Sequence, residues 1–172
     1  MEDVGEMVRR YGGMVWAIVY RVLGEHGAED CFQEVFVAAM EVAKREKVWS
    51  WEGMLRRLAV AKGVDALRRR VRERGRMAVP VEWEEVAGRE VLPAEAAEKA
   101  ELLTGLRRAL TRIPEQQAET FLLRYVTGMS YEEIGAAMGI TGNAAGVMLM
   151  RAKGRLRELM ERPIEQGEVK RE

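Results

Sequence analysis

The hydrophobic positions of the first half of the chain recur at helical spacing and predict three helices. Apolar residues fall every three or four positions over 7–22 and again over 32–43, and Gly24 and Gly27 mark the turn between these stretches. A third helix is predicted from about Trp51 to Arg74. No useful length of sequence alternates with the two-residue period of a β-strand, so this half is expected to be all-α.

Helical periodicity fades between residues 77 and 101, where acidic residues dominate and two prolines interrupt the pattern. It resumes near Leu102 and stops at Pro114, whose position suits the first turn of the next helix. Residues 77–101 are therefore interpreted as a linker, and a second group of helices is expected beyond it.

The stretch around residue 130 is the most informative local pattern. Ser130 and Glu133 have the spacing of a capping box, and Gly139 ends that helix after about two turns. Thr141 then leads into a longer helix. A helix, a short glycine-containing turn and a second helix form the outline of a helix-turn-helix.

Together these patterns predict an all-α fold with two small helical domains joined by an acidic linker, the C-terminal domain containing the helix-turn-helix. The expected boundaries are 1–76, a linker at 77–101, a second domain at 102–162 and a tail at 163–172. The total charge of zero hides a net charge of +3 in the first domain, −5 in the linker and +3 in the second domain. This layout indicates two polyanion-binding units.

The composition argues against several other classes of protein. A single Cys31 and a single His26 offer neither an intramolecular disulfide nor a zinc site, so no metal and no cofactor are expected. No phosphate-cradling glycine loop or catalytic triad pattern is evident, so the chain is not expected to be an enzyme. The apolar run 14–20 is too short for membrane insertion and unlike a signal peptide, and a cytoplasmic location is expected.

In a helix-turn-helix the second helix enters the major groove with its N-terminal residues facing the base edges. Asn143 either pairs with a base edge or caps the helix, while Arg151 and Lys153 are favoured as DNA contacts. Met148 and Met150 are interpreted as packing or apolar contacts rather than readers of sequence.

Positive charge is concentrated in the third predicted helix, because residues 51–76 hold nine basic and three acidic residues. The run Arg68–Arg70 is either a solvated helix end or a phosphate contact, and the second basic unit beyond the linker favours phosphate. Trp51 is predicted to lie in the core. Trp49 either stacks on an exposed base or packs its loop against the core.

Three segments carry a family resemblance. The segments AEDCFQEVFVAAM (28–40) and SWEGMLRRLAVAKGVDALRRR (50–70) resemble the second conserved region of bacterial RNA polymerase sigma factors of the extracytoplasmic-function (ECF) group. The segment RIPEQQAETFLLRYVTGMSYEEIGAAMGITGNAAGVMLMRAKGRL (112–156) is similar to the fourth region of the same group. The order of the regions and the acidic linker agree, and the resemblance covers roughly residues 5–160.

For the first domain, the resemblance implies docking on the clamp coiled coil of core RNA polymerase and opening of promoter DNA at its −10 element. The loop at 46–50 corresponds to the family's pocket for an unstacked base. The implied polymerase-binding residues lie on the second helix: Asp30, Gln33, Glu34 and Phe36. The implied −10 contacts are Lys47, Trp49, Arg57, Lys62, Arg68, Arg69 and Arg70.

For the second domain, the resemblance implies docking on the polymerase flap and insertion of the helix after Thr141 into the −35 major groove. The implied −35 contacts are Thr141, Asn143, Gly146, Val147, Met150, Arg151 and Lys153. Family members usually carry basic or hydroxyl residues at 146–148 and an Arg-Asn pair where this chain has Val60 and Ala61. Unusual promoter readout is therefore expected, with more reliance on backbone contacts and DNA shape.

The resemblance also implies an anti-sigma factor that holds the protein inactive, in addition to core RNA polymerase and promoter DNA as partners. The residue pattern alone also fits a stand-alone helix-turn-helix regulator or a helical scaffold. A regulator is expected to bind duplex DNA by itself, usually as a dimer, whereas a sigma factor binds strongly only within the polymerase holoenzyme.

Overall fold

The structure, a computed structural model, describes residues 4–76 and 94–161. These residues contain seven helices and no strand. The helices are α1 (Val4–Leu23), α2 (Ala28–Arg45), α3 (Trp51–Arg76), α4 (Ala94–Leu110), α5 (Glu115–Tyr125), α6 (Tyr131–Met138) and α7 (Gly142–Glu161). The all-α prediction is confirmed, and the helices form two lobes, α1–α3 and α4–α7.

The N-terminal lobe is built by packing the apolar faces of α1 and α2 against α3. Gly24 and Gly27 both have positive φ, at 75° and 79°, which lets the chain reverse sharply between α1 and α2. Gly63 of α3 lies so close to Val22 of α1 that an added Cβ would approach Val22 Cγ1 to 2.8 Å. A glycine is therefore needed where these two helices approach each other.

The C-terminal lobe holds the predicted helix-turn-helix in α6 and α7, which pack on α5. Ser130 and Glu133 form the predicted capping box, since each side chain accepts a hydrogen bond from the other residue's backbone N–H. Gly139 ends α6 with φ of 70°. Gly135 permits the tight turn into α7, because an added Cβ there would lie 2.8 Å from the carbonyl oxygen of Ile140.

The two lobes are packed against each other through α3, which contacts α5 and α6. One continuous cluster of buried side chains runs through both lobes. Arginines cross the boundary in both directions: Arg107 Nε donates to the carbonyl of Val22 at 2.9 Å, and Arg68 donates to the carbonyl of Ile113 at 2.5 Å. Each lobe thus completes part of the other's hydrogen bonding.

The predicted helix boundaries need two corrections. Helix α4 begins at Ala94, eight residues before Leu102, because the Ala- and Glu-rich segment 94–101 has high helix propensity but mostly exposed positions, so it shows no apolar stripe. Pro114 is the N-cap of α5 rather than its first helical residue. The first part of the predicted 77–101 linker, residues 77–93, and the predicted tail at 163–172 lie outside the described residues.

Candidate nucleic-acid interface

One face of α7 is exposed and continuous. Asn143, Val147, Met150 and Arg151 are all exposed and are separated by four, three and one positions, which places them on the same side of the helix. The opposite side is buried in the lobe through Ala145, Leu149, Ala152 and Leu156. The packing of α7 therefore fixes which of its residues a groove of DNA would meet.

Thr141 caps the start of α7, because its Oγ1 accepts a hydrogen bond from the backbone N–H of Ala144 at 3.1 Å. Asn143 is exposed in the first turn and is not the cap. Of the two interpretations of Asn143, helix capping is therefore wrong, and its side-chain amide is accessible to an external partner. The hydroxyl of Thr141, a predicted −35 contact, is already engaged in capping.

Positive charge is concentrated in α7 between Arg151 and Arg157. The segment Gly142–Arg157 contains four basic residues and no acidic residue. Arg151 and Lys153, which are favoured as DNA contacts, are exposed, and the exposed Arg155 donates to Gln117 Oε1 at 3.1 Å. Cations along a helix of this kind attract phosphate groups on both sides of a groove.

Tyr131 and Arg124 were missed by sequence reasoning and adjoin the exposed face of α7. Tyr131 is 42% exposed at the start of α6, and an added Cβ at Gly146 would lie 3.7 Å from its ring. The guanidinium of Arg124 lies 5.4 Å from the centre of that ring and donates to the carbonyl of Met129. The sequence signal that could have identified Tyr131 is its position directly after the capping Ser130. The first residue of α6 faces away from the core of the lobe, so an aromatic side chain there is exposed.

Residues 148 and 150 have opposite environments although both are methionines. Met148 is half-buried, and its sulfur accepts a hydrogen bond from Thr120 Oγ1 at 3.1 Å. Met150 is 68% exposed. Of the two expected roles, packing is therefore confirmed for Met148, whereas Met150 keeps only the role of an apolar contact at the surface.

The loop between α2 and α3 presents an aromatic ring to solvent. Trp49 is 86% exposed, and the ammonium of Lys47 lies 4.4 Å from the centre of its ring. Ser50 Oγ accepts from the backbone N–H of Gly53 at 3.1 Å and so caps α3. Trp51 is half-buried against the core as predicted. Of the two interpretations of Trp49, packing of the loop against the core is therefore wrong, and only contact with an external partner agrees with its exposure.

The three consecutive arginines of α3 all interact with the chain itself. Arg68 donates to the carbonyl of Ile113 in the other lobe, Arg69 lies 3.4 Å from Glu34, and Arg70 donates to the carbonyl of His26. Arg57 is exposed and Lys62 is half-buried. The predicted −10 set is therefore divided between accessible side chains and side chains that already have partners in this arrangement.

Val60 is fully buried and Ala61 is half-buried, at the positions where the family pattern has an Arg-Asn pair. Val60 packs within the N-terminal lobe and offers no group to DNA. At position 60, this chain therefore has a buried apolar side chain where the family pattern has a polar one.

The predicted polymerase-binding residues on α2 differ in accessibility. Asp30 and Gln33 are exposed, and Glu34 is half-buried beside Arg69. Phe36 requires a correction: it is 4% exposed and packs edge-on against Phe32 with ring centres 5.1 Å apart, so it supports α2 from inside. Val37, 64% exposed, was missed because its apolar side chain lies off the predicted stripe.

The described residues contain no group of histidine, cysteine and carboxylate side chains able to hold a metal ion, and none of their helices is long and apolar enough to cross a membrane. Burial raises the pKa of the Cys31 thiol to about 11, with a further contribution from the Glu34 carboxylate. The thiol is therefore protonated at neutral pH and is a poor nucleophile.

The fold and the exposed, cationic α7 define a helix-turn-helix protein of the DNA-binding class with a second helical lobe. A family model described as sigma-70 region 2 matches residues 7–73, and one described as sigma-70 region 4 matches residues 103–156. The ECF RNA polymerase sigma factor ShbA of Streptomyces griseus is 33% identical over 139 residues, which cover 79% of this chain and 73% of ShbA. The chain therefore belongs to the ECF group of RNA polymerase sigma factors.

A longer relative and a solved structure extend this comparison. The ECF RNA polymerase sigma factor SigE of Mycolicibacterium smegmatis is 29% identical over 161 residues, covering 93% of this chain and 62% of SigE. The chain thus spans less than two thirds of the length of SigE. The sigma factor RpoE of Bartonella quintana, solved in complex with the anti-sigma factor NepR, has the same fold with a TM-score of 0.56 and 21% identity, over 93% of this chain and 98% of RpoE.

Proposed function

We propose that this chain is a dissociable specificity subunit that binds core RNA polymerase, directs it to a specific set of promoters and helps to open the DNA. It acts in the cytoplasm by differential binding and has no catalytic chemistry of its own. The observation that carries the proposal is the presence of sigma regions 2 and 4, in that order, in one chain whose region 4 exposes a cationic helix. Residues 1–76 and 102–162 act as the two functional domains.

The polymerase-binding surface is assigned to one side of α2. Asp30, Gln33 and Val37 are exposed at spacings of three and four, so they form one accessible face. An acidic group beside an exposed apolar group suits a partner surface with basic and apolar side chains, since charge complementarity guides docking and apolar burial stabilises it. Glu34 contributes by holding Arg69 near this face.

The −10 contacts are assigned to the Lys47–Trp49 loop and the accessible cations of α3. An exposed indole beside an ammonium group can stack on an unpaired base while the cation meets the adjacent phosphate. Arg57 extends this cationic surface along α3. Unstacking a base costs a few kcal/mol, which capture of that base on Trp49 offsets.

We assign the packed arrangement of the two lobes to the free protein, before it binds polymerase. Arg68 is half-buried at the lobe boundary and donates to the carbonyl of Ile113, so its full engagement with promoter phosphate is proposed to accompany separation of the lobes there. An anti-sigma factor would maintain a closed arrangement, as a partner of the kind seen bound to Bartonella RpoE. This inhibitor is proposed from the comparison and from the inter-lobe contacts together.

Reconstitution with core polymerase tests the function. The full chain is added to core RNA polymerase from the same organism, and transcripts from genomic fragments are mapped at their 5′ ends. Specific starts that core polymerase alone does not make are the expected result. Repeated absence of such starts would contradict the proposal, and tight binding of the free chain to duplex DNA as a dimer would favour a stand-alone regulator.

Charge reversal tests the assigned polymerase surface. Asp30→Lys is expected to weaken core binding roughly tenfold, the change that corresponds to about 1.4 kcal/mol, because it places a cation against a basic surface. The matched control is Glu98→Lys, which reverses one exposed acidic group on α4. Affinity for core is measured by pull-down of folded variants, and equal affinity for Asp30→Lys and the control would refute the assignment.

A further inference from the structure

An apolar strip, defined here as Val147 and Met150, lies in the middle of the exposed face of α7. Val147 is 37% exposed and Met150 is 68% exposed. Asn143 precedes them on the same face and Arg151 follows. Two hydrophobic side chains therefore occupy the part of the recognition helix where groups that read DNA are expected.

The core of the lobe does not account for this exposure. Ala145, Leu149, Ala152 and Leu156 already fill the inward side of α7, and the intervening Met148 is turned toward Thr120. Val147 and Met150 project on the other side, which faces away from this buried set. Exposure of these apolar side chains to water is unfavourable in free energy, and burial against an external partner would remove that penalty.

The charge around the strip favours DNA as that partner. No acidic residue occurs between Gly142 and Arg157, while Arg151 and Lys153 are exposed beside the strip. The nearest acidic side chain of α6, Glu132, lies away from these cations, beside Gly142 at the start of α7. An apolar surface edged by cations of its own helix suits the major groove, where base edges lie between two rows of phosphates. It is less suited to a protein surface, which usually offers both signs of charge.

The start of α7 allows a close approach to the base edges. Gly142, Ala144 and Gly146 have little or no side chain, so a short residue such as Val147 is not held away from the groove floor by larger neighbours. Gly146 lies beside the ring of Tyr131, and a larger side chain there would first meet that ring. The helix is therefore shaped for contact through Val147 rather than through position 146.

The chemistry of the strip selects one base. Valine and methionine have no strong hydrogen-bond donor, so they leave the polar groups of any base edge without partners and gain only from an apolar group on the base. Thymine is the base that presents a C5-methyl group in the major groove. Building on the proposed function, we infer that Val147 and Met150 are specificity-determining residues that read thymine methyl groups in the upstream promoter element.

Replacing thymine with deoxyuridine tests this inference, because uracil lacks only the methyl group. Duplexes enriched from a random pool by the holoenzyme containing the full chain are resynthesised with deoxyuridine at each thymine of the upstream element in turn. At one or more positions the affinity is expected to fall roughly fourfold, the change expected for one buried methyl group. Affinity is measured by competition against a fluorescent parent duplex.

A matched pair of variants assigns the effect to the strip. Val147→Ala with Met150→Ala is expected to bind the thymine and deoxyuridine duplexes equally, whereas Met160→Ala, at a 38% exposed position near the end of the same helix, is expected to keep the difference. Equal binding of both duplexes by the unaltered protein would overturn the inference and leave the proposed function standing. Failure of the holoenzyme to enrich any duplex would overturn both.

One further outcome separates DNA from a protein partner. If the Val147→Ala and Met150→Ala changes weaken binding to core polymerase in a pull-down without DNA, and deoxyuridine has no effect, the strip docks on protein. That result would also overturn the inference.

Discussion

Arg68, Arg69 and Arg70 are adjacent in the sequence, yet each has a different partner. Successive residues of an α-helix point about 100° apart, so three neighbours face three different parts of the surroundings. Here those parts are the other lobe, α2 and the α1–α2 turn. A run of arginines thus identifies positive charge, but the packing of the helix decides which cations remain accessible to DNA.

Gly63 offers a stability test at a single residue. An alanine at this position gains helix propensity, yet its Cβ would meet Val22 Cγ1 at 2.8 Å, and valine in a helix has one strongly preferred side-chain rotamer. Gly63→Ala is expected to lower the free energy of unfolding by about 1 kcal/mol, since overpacking typically costs about 1–3 kcal/mol. Chemical denaturation of the purified chain measures the change.

Gly13 provides the matched control on α1. It is exposed, and an added Cβ would meet nothing within 4 Å. Gly13→Ala is therefore expected to raise the free energy of unfolding by about 0.5–1 kcal/mol. If the Gly63→Ala variant were stabilised as much as this control, the close approach of α1 and α3 would be contradicted.

At the scale of elements, α6 shows how a short helix is held in place. It has only eight residues, too few for stability in isolation, but it starts with a full capping box and ends at a glycine of positive φ. Ile134 and Gly135 are buried against its neighbours. Local capping sets the ends of this helix, while tertiary packing supplies the stability that its length does not.

Removal of the cap tests this account. Ser130→Ala leaves the N–H of Glu133 without its side-chain partner and is expected to lower the free energy of unfolding by about 1 kcal/mol. Hydrogen exchange at the amides of α6 is expected to accelerate before that of α1–α3. Ser130→Asp keeps a capping oxygen and serves as the control, and equal exchange rates in the two variants would argue against the cap.

Helix α4 shows how the start of a helix can be missed from sequence. Helical periodicity is visible only where apolar residues form a stripe, but Leu102 and Leu103 are 60% and 39% exposed and the segment before them is rich in alanine and charge. That segment is helical because of the intrinsic helix propensity of its residues and not because of an amphipathic pattern. Exposure of the two leucines could not be read from the pattern, because it depends on where α4 meets the rest of the C-terminal lobe.

At the scale of the whole molecule, the two lobes are more closely associated than the division into two domains implies. Arg107 donates to the carbonyls of Val22 and Arg21, and Arg21 donates back across the boundary to the carbonyl of Val126 at 3.4 Å. Small helical units of this size bury a limited core on their own. Association with each other compensates for that limit, and polymerase would take over this role once the lobes separate.

Glu119 makes the stability of the fold sensitive to pH. It is buried on α5, and burial, together with Glu115, raises the pKa of its carboxyl group, although Arg57 and Arg68 of the other lobe oppose the shift. A raised pKa in the folded state means that the stability contributed by Glu119 is fully present below the ordinary value of 4.5 and is lost as the pH rises through the folded value. The contribution of Glu119 to stability is therefore expected to increase on mild acidification.

Substitution of Glu119 tests this pH dependence. Glu119→Gln is expected to unfold at a higher temperature than the wild type at pH 7, with the difference shrinking toward pH 4.5, because the amide carries no charge to bury. Glu98→Gln, at an exposed position on α4, is the control and is expected to follow the wild type at each pH. Thermal unfolding in matched buffers provides the measurement, and a pH-independent difference would contradict the stated cause.

The sequence by itself determined the local features: the three N-terminal helices, the Ser130–Glu133 capping box, the end of α6 at Gly139 and the family to which the chain belongs. These depend on spacing and on the intrinsic properties of neighbouring residues. Tertiary structure alone decided that Val37 is exposed, that Met150 is exposed while Met148 is not, and that Arg68 donates to the other lobe. The physical reason is that accessibility depends on groups distant in sequence, whose approach is fixed only when helices pack.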